Sequence, residues 1–255
     1  MHPEELYGLI GFPLGHSWSA SYFNEKFRKE GQSHKRYKPF PLASIGEFPA
    51  LIHDQPSLAG LNVTIPYKEK IIPYLDELDP VALEIGAVNT IMISRKNGSV
   101  RTKGFNTDTG GFYLTLKDQV NECKALILGT GGAAKAVAYA LTKFEIPYTF
   151  VSRNAKGSGI CSYNELNIQV IKYNKLIINT SPLGMYPDVT TFPPIPYHAL
   201  GKDHFLYDLI YNPEETMFLK KGKAMHTRTM NGKQMLVNQA ELAYEIFQST
   251  WSPSL

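Results

Sequence analysis

The chain has 255 residues, 43% hydrophobic and 19% charged, with 17 prolines. That length allows one large domain or two modest ones, and the composition excludes a disordered, fibrous or disulfide-built chain. A formal charge of +3, spread without a dense Lys/Arg run, leaves no electrostatic footprint for nucleic acid.

Cys123 and Cys161 are too few for a disulfide framework and have no Cys or His neighbour at metal-ligand spacing, so a reducing compartment and no metal are expected. The chain does not open on a basic segment followed by an apolar core, and no apolar run approaches about 18 residues. A soluble, cytoplasmic protein with no membrane partner is therefore expected.

Residues 7–11 read as a short buried strand. Ser17 or Ser19 can cap a helix running to about Glu30, whose apolar face is Tyr22, Phe23 and Phe27. Residues 35–40 look extended and 46–53 weakly helical. In Gly60-Leu-Asn-Val-Thr-Ile-Pro-Tyr-Lys68 the aliphatics Leu61, Val63 and Ile65 alternate with Asn62 and Thr64. A strand of period two then buries the aliphatics and turns an amide and a hydroxyl the other way. Pro66 suits a following helical turn, and Lys68 adds an amine close to the polar face. Amide, hydroxyl and amine together suit a small polyol.

Residues 71–85 are helical in pattern but broken by Pro73 and Pro80. Strand-like runs at 88–94 and 100–105 flank Asn97-Gly98, a hairpin signal. Thr107 or Asp108 can cap the next helix. After Cys123 the character changes. Near-continuous apolar runs at 124–129, 148–151, 176–179, 205–210 and 224–230 alternate with helical stretches at 133–144 and 214–221. This is the pattern of a doubly wound parallel sheet. A long helix, 235–249, closes the chain and is expected to pack back on the first domain.

Gly129-Thr-Gly-Gly-Ala-Ala-Lys135 follows a buried strand and opens a helix, which is the context of a dinucleotide-binding turn. Gly129 permits the tight turn, Gly131 lets a pyrophosphate approach the backbone, Ala134 keeps helix and sheet close, and the helix N-terminus favours an anion. The second strand of this region ends at Ser152-Arg153, with Lys156 nearby. An NAD site usually carries an acid there. A cation points to a 2′-phosphate, hence to NADP, with a charge-assisted bond worth roughly 1.5–3 kcal/mol.

These segments line up with one family. The chain resembles shikimate dehydrogenase almost end to end. The match runs through Gly11-Phe-Pro-Leu-Gly-His-Ser-Trp-Ser19, residues 60–68, Gly86-Ala-Val-Asn-Thr90, Gly104-Phe-Asn-Thr-Asp-Thr-Gly110 and the Gly129 turn. It continues through Asn179-Thr-Ser-Pro-Leu-Gly-Met185, Tyr211-Asn-Pro213 and Met235-Leu-Val-Asn-Gln-Ala240. The resemblance implies an α/β protein with an N-terminal α/β substrate domain, residues 1–107 plus 232–255, and a Rossmann-like doubly wound NADP domain, residues 108–231.

It also implies NADP-dependent reduction of 3-dehydroshikimate to shikimate. Ser17 and Ser19 would bind the substrate carboxylate, with Tyr211 assisting. Asn62, Thr64, Asn89 and Gln239 would hold the ring hydroxyls, and Lys68 and Asp108 would form the catalytic pair. Gly129, Thr130, Gly131, Gly132, Ala133, Ser152, Arg153, Lys156 and Thr180 would hold NADP, and Met185, Gly232 and Met235 would flank its nicotinamide. General chemistry agrees: reducing a ketone needs a proton on the developing alkoxide, which an ammonium oriented by a carboxylate can deliver. His16 and His226 are expected to be structural, the latter packed within a strand. A monomer or homodimer is expected.

The chain departs from the family pattern in three places. Ala20 stands where Pro usually follows the second serine, and Gln234 where Gly often precedes the last-motif Met. The interval after Arg153 is too short for a helical crossover, which needs a dozen or more residues. Any strand near Ile160 is therefore expected to pair antiparallel or be absent, leaving a shortened edge. Two alternatives stay open: a quinate/shikimate dehydrogenase able to use NAD, and a non-catalytic shikimate-binding regulator.

Overall fold

The computed structural model describes residues 3–15, 17–96, 98–120, 123–155, 159–249 and 251. The chain divides into two compact units, residues 1–107 with 240–255, and residues 108–239.

In the first unit, β1 (Glu5–Gly11) is followed by α1 (Trp18–Lys29), β2 (Lys35–Pro41), α2 (Phe48–Asp54), β3 (Leu58–Val63), β4 (Glu77–Leu78), α3 (Pro80–Ile85), β5 (Thr90–Lys96) and β6 (Ser99–Phe105). The sheet order is β2-β1-β3-β5-β6-β4. β1 is parallel to β2 and β3, whereas β5 is antiparallel to β3 and β6. Successive side chains of a strand point to opposite faces, and β1 feeds two cores in that way. Leu6 and Ile10 pack with Phe48, Leu61, Val63 and Ile91. Tyr7 and Leu9 pack with Phe23, Phe27, Tyr37, Ala240, Ala243, Tyr244 and Phe247. Residues 240–247 of the last helix thus pack in this unit.

Ser17 caps α1, its hydroxyl accepting from Ala20 N at 3.2 Å, and Lys26, Arg28 and Lys29 in the last turn complement the helix dipole. The expected 71–85 helix is instead a short 3-10 turn at Ile72–Tyr74, then β4 and α3. Asp79 caps α3 and Pro80 sits in its first turn, so the prolines partition the segment. Pro66 does not start a helix. β3 ends at Val63, residues 65–66 and 68–71 are turns, and Ile65 is 59% exposed. The aliphatic alternation fails there because Tyr67 takes the buried position, donating to the Leu42 carbonyl at 2.5 Å. The expected β5–β6 hairpin is present; its Asn97 lies outside the described residues.

The second unit holds α4 (Asp108–Leu116), β7 (Ala125–Leu128), α5 (Gly132–Lys143), β8 (Tyr148–Ser152), β9 (Ile160–Ser162), α6 (Ile168–Tyr173), β10 (Leu176–Asn179), β11 (Phe205–Asp208), α7 (Met217–Ala224), β12 (Arg228–Met230) and the start of α8 (Lys233–Gln248). Its sheet, in order β12-β11-β10-β7-β8-β9, is wholly parallel. β7, β10 and β11 are buried throughout. Their alternate residues feed two cores, Ala125, Ile127, Ile178 and Tyr207 on one and Leu126, Leu128, Ile177 and Leu206 on the other. Strand order reverses between β7 and β10, and the carboxyl ends at such a switch point form the ligand crevice of open α/β sheets.

Two expectations for this unit are corrected. β9 exists and pairs with β8 in parallel, Phe150 opposite Ile160 through Ser152 opposite Ser162. That register asks the chain to return two residues, about 7 Å, and step sideways about 5 Å. Residues 153–159 suffice, since a segment of that length reaches about 23 Å extended. The dozen-residue requirement belongs to crossovers that retrace a full strand. The expected 224–230 strand starts only at Arg228, because α7 runs later than expected, capped by Thr216. His226 is therefore not packed in a strand: it is exposed, in a turn, at φ 59°.

Candidate functional site

In the first unit a row of polar side chains crosses the sheet. The Ser19 hydroxyl donates to the Tyr37 phenol. Tyr37 donates to Asn62 Oδ1 at 2.8 Å, and Asn62 Nδ2 donates to Thr90 Oγ1 at 3.1 Å. Thr90 donates to Asn89 Oδ1 at 3.2 Å, which also accepts from Thr107 N at 2.7 Å. Asn89 Nδ2 donates to Thr107 Oγ1 at 2.9 Å.

Strand register builds this row, because Asn62 lies opposite Thr90 and Thr90 opposite Phe105. Tyr37, Asn62, Asn89, Thr90 and Thr107 are all buried. Burial pushes the Tyr37 phenol well above its ordinary range, so it stays a hydrogen-bond donor. Burying this many polar groups costs free energy unless they satisfy one another or a ligand. Here they are pre-oriented by one another, as a site for a hydroxylated molecule requires.

The other residues singled out in this unit flank the row. Ser17 and Ser19 open α1. Thr64 is part-buried just past β3, its N–H donating to the Ile10 carbonyl at 2.9 Å. The Lys68 carbonyl accepts from Val88 N at 2.7 Å, which places its backbone beside Asn89. Thr107 turns its hydroxyl to Asn89. Tyr37 escaped the sequence reading because a tyrosine in an extended segment carries no distinguishing signal. Thr90 and Thr107 lay within quoted motifs without a binding role.

Asp108, one peptide beyond Thr107, opens α4 in the second unit and is 6% exposed. Gly129 ends β7 at φ +133°, and a Cβ there would lie 2.5 Å from Thr180 Oγ1. The turn and Thr180 therefore meet at the switch point between β7 and β10. Thr130 and Gly131 are exposed, and Gly132 and Ala133 are part-exposed at the start of α5. No side chain caps that start among the described residues, so its orphan N–H groups suit an anion. A nucleotide pyrophosphate fits this cradle.

Ser152 Oγ accepts from Asn154 N at 3.2 Å and holds the turn that exposes Arg153. Lys156 and His16 lie outside the described residues. Thr180 Oγ1 donates to the Leu128 carbonyl at 2.9 Å. Met185 and Tyr211 are 41% and 39% exposed, and burial of part of the Tyr211 ring raises its phenol. A Cβ on Gly232 would run into the Leu209 carbonyl. Met235 is 6% exposed, in the core with Phe112, Val137 and Tyr207. Gln239 donates to the Leu236 carbonyl at 2.9 Å. Among the described residues no His/Cys/Asp/Glu group could hold a metal, and no helix is long and apolar enough to cross a membrane.

A unit with a buried polar row, and a parallel sheet with a glycine turn at its switch point, are the arrangement expected of a dinucleotide-dependent oxidoreductase. Residues 9–91 match the family model described as the shikimate dehydrogenase substrate binding domain. The chain is 39% identical to a shikimate dehydrogenase (NADP(+)) of Carboxydothermus hydrogenoformans, over 94% of this chain and 90% of the relative. It is 36% identical to the crystal structure of shikimate dehydrogenase 1 from Peptoclostridium difficile, at a TM-score of 0.84, covering 98% of this chain and 93% of that one. A Thermus thermophilus shikimate 5-dehydrogenase in complex with NADP(H) and shikimate is 28% identical at a TM-score of 0.82, covering 96% and 93%. The chain belongs to the shikimate dehydrogenase family.

Proposed function

We propose that this chain catalyses the reversible, NADP-dependent reduction of 3-dehydroshikimate to shikimate, a step of aromatic amino acid biosynthesis. The polar row from Ser19 to Thr107, buried from Tyr37 onward, carries the reading. It presents amides and hydroxyls fixed in place, the complement of a ring bearing several hydroxyls. The Thermus relative, crystallised with shikimate and NADP(H), supports it.

NADPH, when bound, would supply the hydride, and the chain supplies position and the proton. Ser17 and Ser19 hold the substrate carboxylate through their hydroxyls, with Tyr211 assisting, and Asn62, Thr64, Asn89 and Gln239 hold the ring hydroxyls. The Lys68 ammonium stabilises negative charge on the C3 oxygen and, with Asp108 as partner, moves the proton to it. Residues 129–133 take the pyrophosphate, and Ser152, Arg153 and Lys156 take the 2′-phosphate, where a guanidinium suits a phosphate dianion. Thr180 adjoins the Gly129 turn in holding the cofactor, and Met185, Gly232 and Met235 flank the nicotinamide.

On this reading residues 1–107 with 232–255 serve the substrate and 108–231 the cofactor, in a cytoplasmic monomer or homodimer. The test is reduced-nicotinamide absorbance with shikimate, quinate or no substrate, each with NADP and NAD. Turnover with shikimate and NADP is expected to dominate. Preference for quinate and NAD would select the quinate-oxidising alternative, and binding of shikimate without turnover would select a regulator.

A further inference from the structure

Behind the cofactor-side loops of the second unit lies a carboxylate that the reaction does not use. Asp208 ends β11 with 0% exposure. Its Oδ1 accepts from Asn179 Nδ2 at 3.0 Å and from Ile210 N at 3.1 Å, and its Oδ2 accepts from Thr216 Oγ1 at 2.6 Å. Asn179, also at 0% exposure, ends the neighbouring strand β10. Its amide donates to the Leu183 carbonyl at 3.3 Å and accepts from Ser181 N at 3.1 Å and Ser181 Oγ at 2.7 Å. One side-chain pair therefore fixes the exits of two adjacent strands.

Each exit leads to residues assigned above to the ligands: Met185 and Gly232 to the nicotinamide, Thr180 to the cofactor and Tyr211 to the substrate carboxylate. The 179–184 turn runs into Met185 and carries Thr180 against the Gly129 turn. Ile210 precedes Tyr211, and its carbonyl accepts from Gly232 N at 3.0 Å. Tyr186 N donates to the Asn212 carbonyl at 3.4 Å, which ties the two loops to each other.

We infer that Asp208 and Asn179 form a positioning pair that sets loops 180–185 and 209–213 at the ends of β10 and β11, and through Met185 and the Ile210–Gly232 bond the nicotinamide end of the site, without touching the cofactor. A buried carboxylate is costly in an apolar sheet, and here every one of its bonds terminates in a loop start or in the cap of α7. A carboxylate is suited to the task because it accepts from several donors at once.

The inference rests on the cofactor reading above, so the experiment uses two probes. NADPH reports both ends of the site, whereas adenosine 2′,5′-bisphosphate reports only the end near Arg153. In Asn179→Ala and Asp208→Ala, NADPH affinity measured by fluorescence is expected to fall about tenfold, the scale set by unpairing buried hydrogen bonds. Affinity for the bisphosphate should stay within about twofold, and the double variant should lose little more than either single one.

Asp208→Asn keeps an acceptor towards Asn179 and Ile210 and should give an intermediate loss. It carries the test if Asp208→Ala does not fold. Equal losses of both probes, or no loss of NADPH in folded variants, would overturn the inference and leave only a structural pair. Wild-type protein that bound neither probe would overturn the cofactor reading, and this inference with it.

Discussion

Replacing Gly129 by alanine tests the phosphate cradle at its tightest point. The residue sits at φ +133°, which L side chains rarely adopt, and holding such a conformation costs about 1–3 kcal/mol. The added Cβ would lie 2.5 Å from Thr180 Oγ1. That hydroxyl must move, and its bond to the Leu128 carbonyl at 2.9 Å is worth about 0.5–1.5 kcal/mol. The sum is about 1.5–4.5 kcal/mol. It surfaces as lost stability if the turn holds, or as NADPH affinity reduced by about 10- to 2,000-fold if the turn deforms. Urea unfolding and NADPH fluorescence titration on the same protein read both shares. Thr180→Ala deletes the same bond by itself, so the double variant should fall about 1 kcal/mol short of the sum of the two single losses. Wild-type values for both stability and NADPH affinity in Gly129→Ala would refute the reasoning.

Three further outcomes are expected. Lys68→Ala should lower kcat by roughly 10²–10⁴, the usual scale for a general acid or base, with a smaller change in KM; near-normal turnover would remove Lys68 from the chemistry. Arg153→Ala should weaken NADP by about one to two powers of ten while leaving NAD nearly unchanged, and equal losses would show that Arg153 does not read the 2′-phosphate. Burial raises the Asp208 carboxyl from 3.8 to about 6, so the native state binds the proton more tightly than the unfolded chain. This contribution is full below about pH 4, is lost as pH rises to about 6, and amounts to roughly 3 kcal/mol. The stability difference between wild type and Asp208→Asn should follow that slope in urea melts at pH 4–7; a flat difference would show that Asp208 does not titrate there.

The sequence made the parallel sheet of the second unit readable because strands buried on both faces are written as unbroken apolar runs, as at Leu176-Ile-Ile178. The glycine turn was readable because its chemistry is local. Register was less accessible. Ile65 continues the alternation of β3 on paper, yet the strand stops at Val63, the last residue paired with β1, and only the partner strand sets that limit. The parallel β9 was misjudged because a rule for full-length crossovers was applied to a strand of Ile160–Ser162. The Ser19–Tyr37–Asn62 connection joins three segments distant in sequence. The Asn179–Asp208 pair likewise needs β10 beside β11. Such couplings are properties of strand order, to which residue spacing along the chain is blind.

The first unit is assembled from two stretches of chain separated by residues 108–239, and Phe247, packed against Tyr7 and Phe23, is translated after all of that intervening unit. During synthesis the second unit is complete while Tyr7, Phe23 and Phe27 still lack the cover of Ala240, Ala243, Tyr244 and Phe247. The nascent chain therefore carries an open aromatic surface until residues 240–247 emerge. A chaperone would bind that surface, and a stop codon shortly before residue 240 would leave it open for the lifetime of the truncated product.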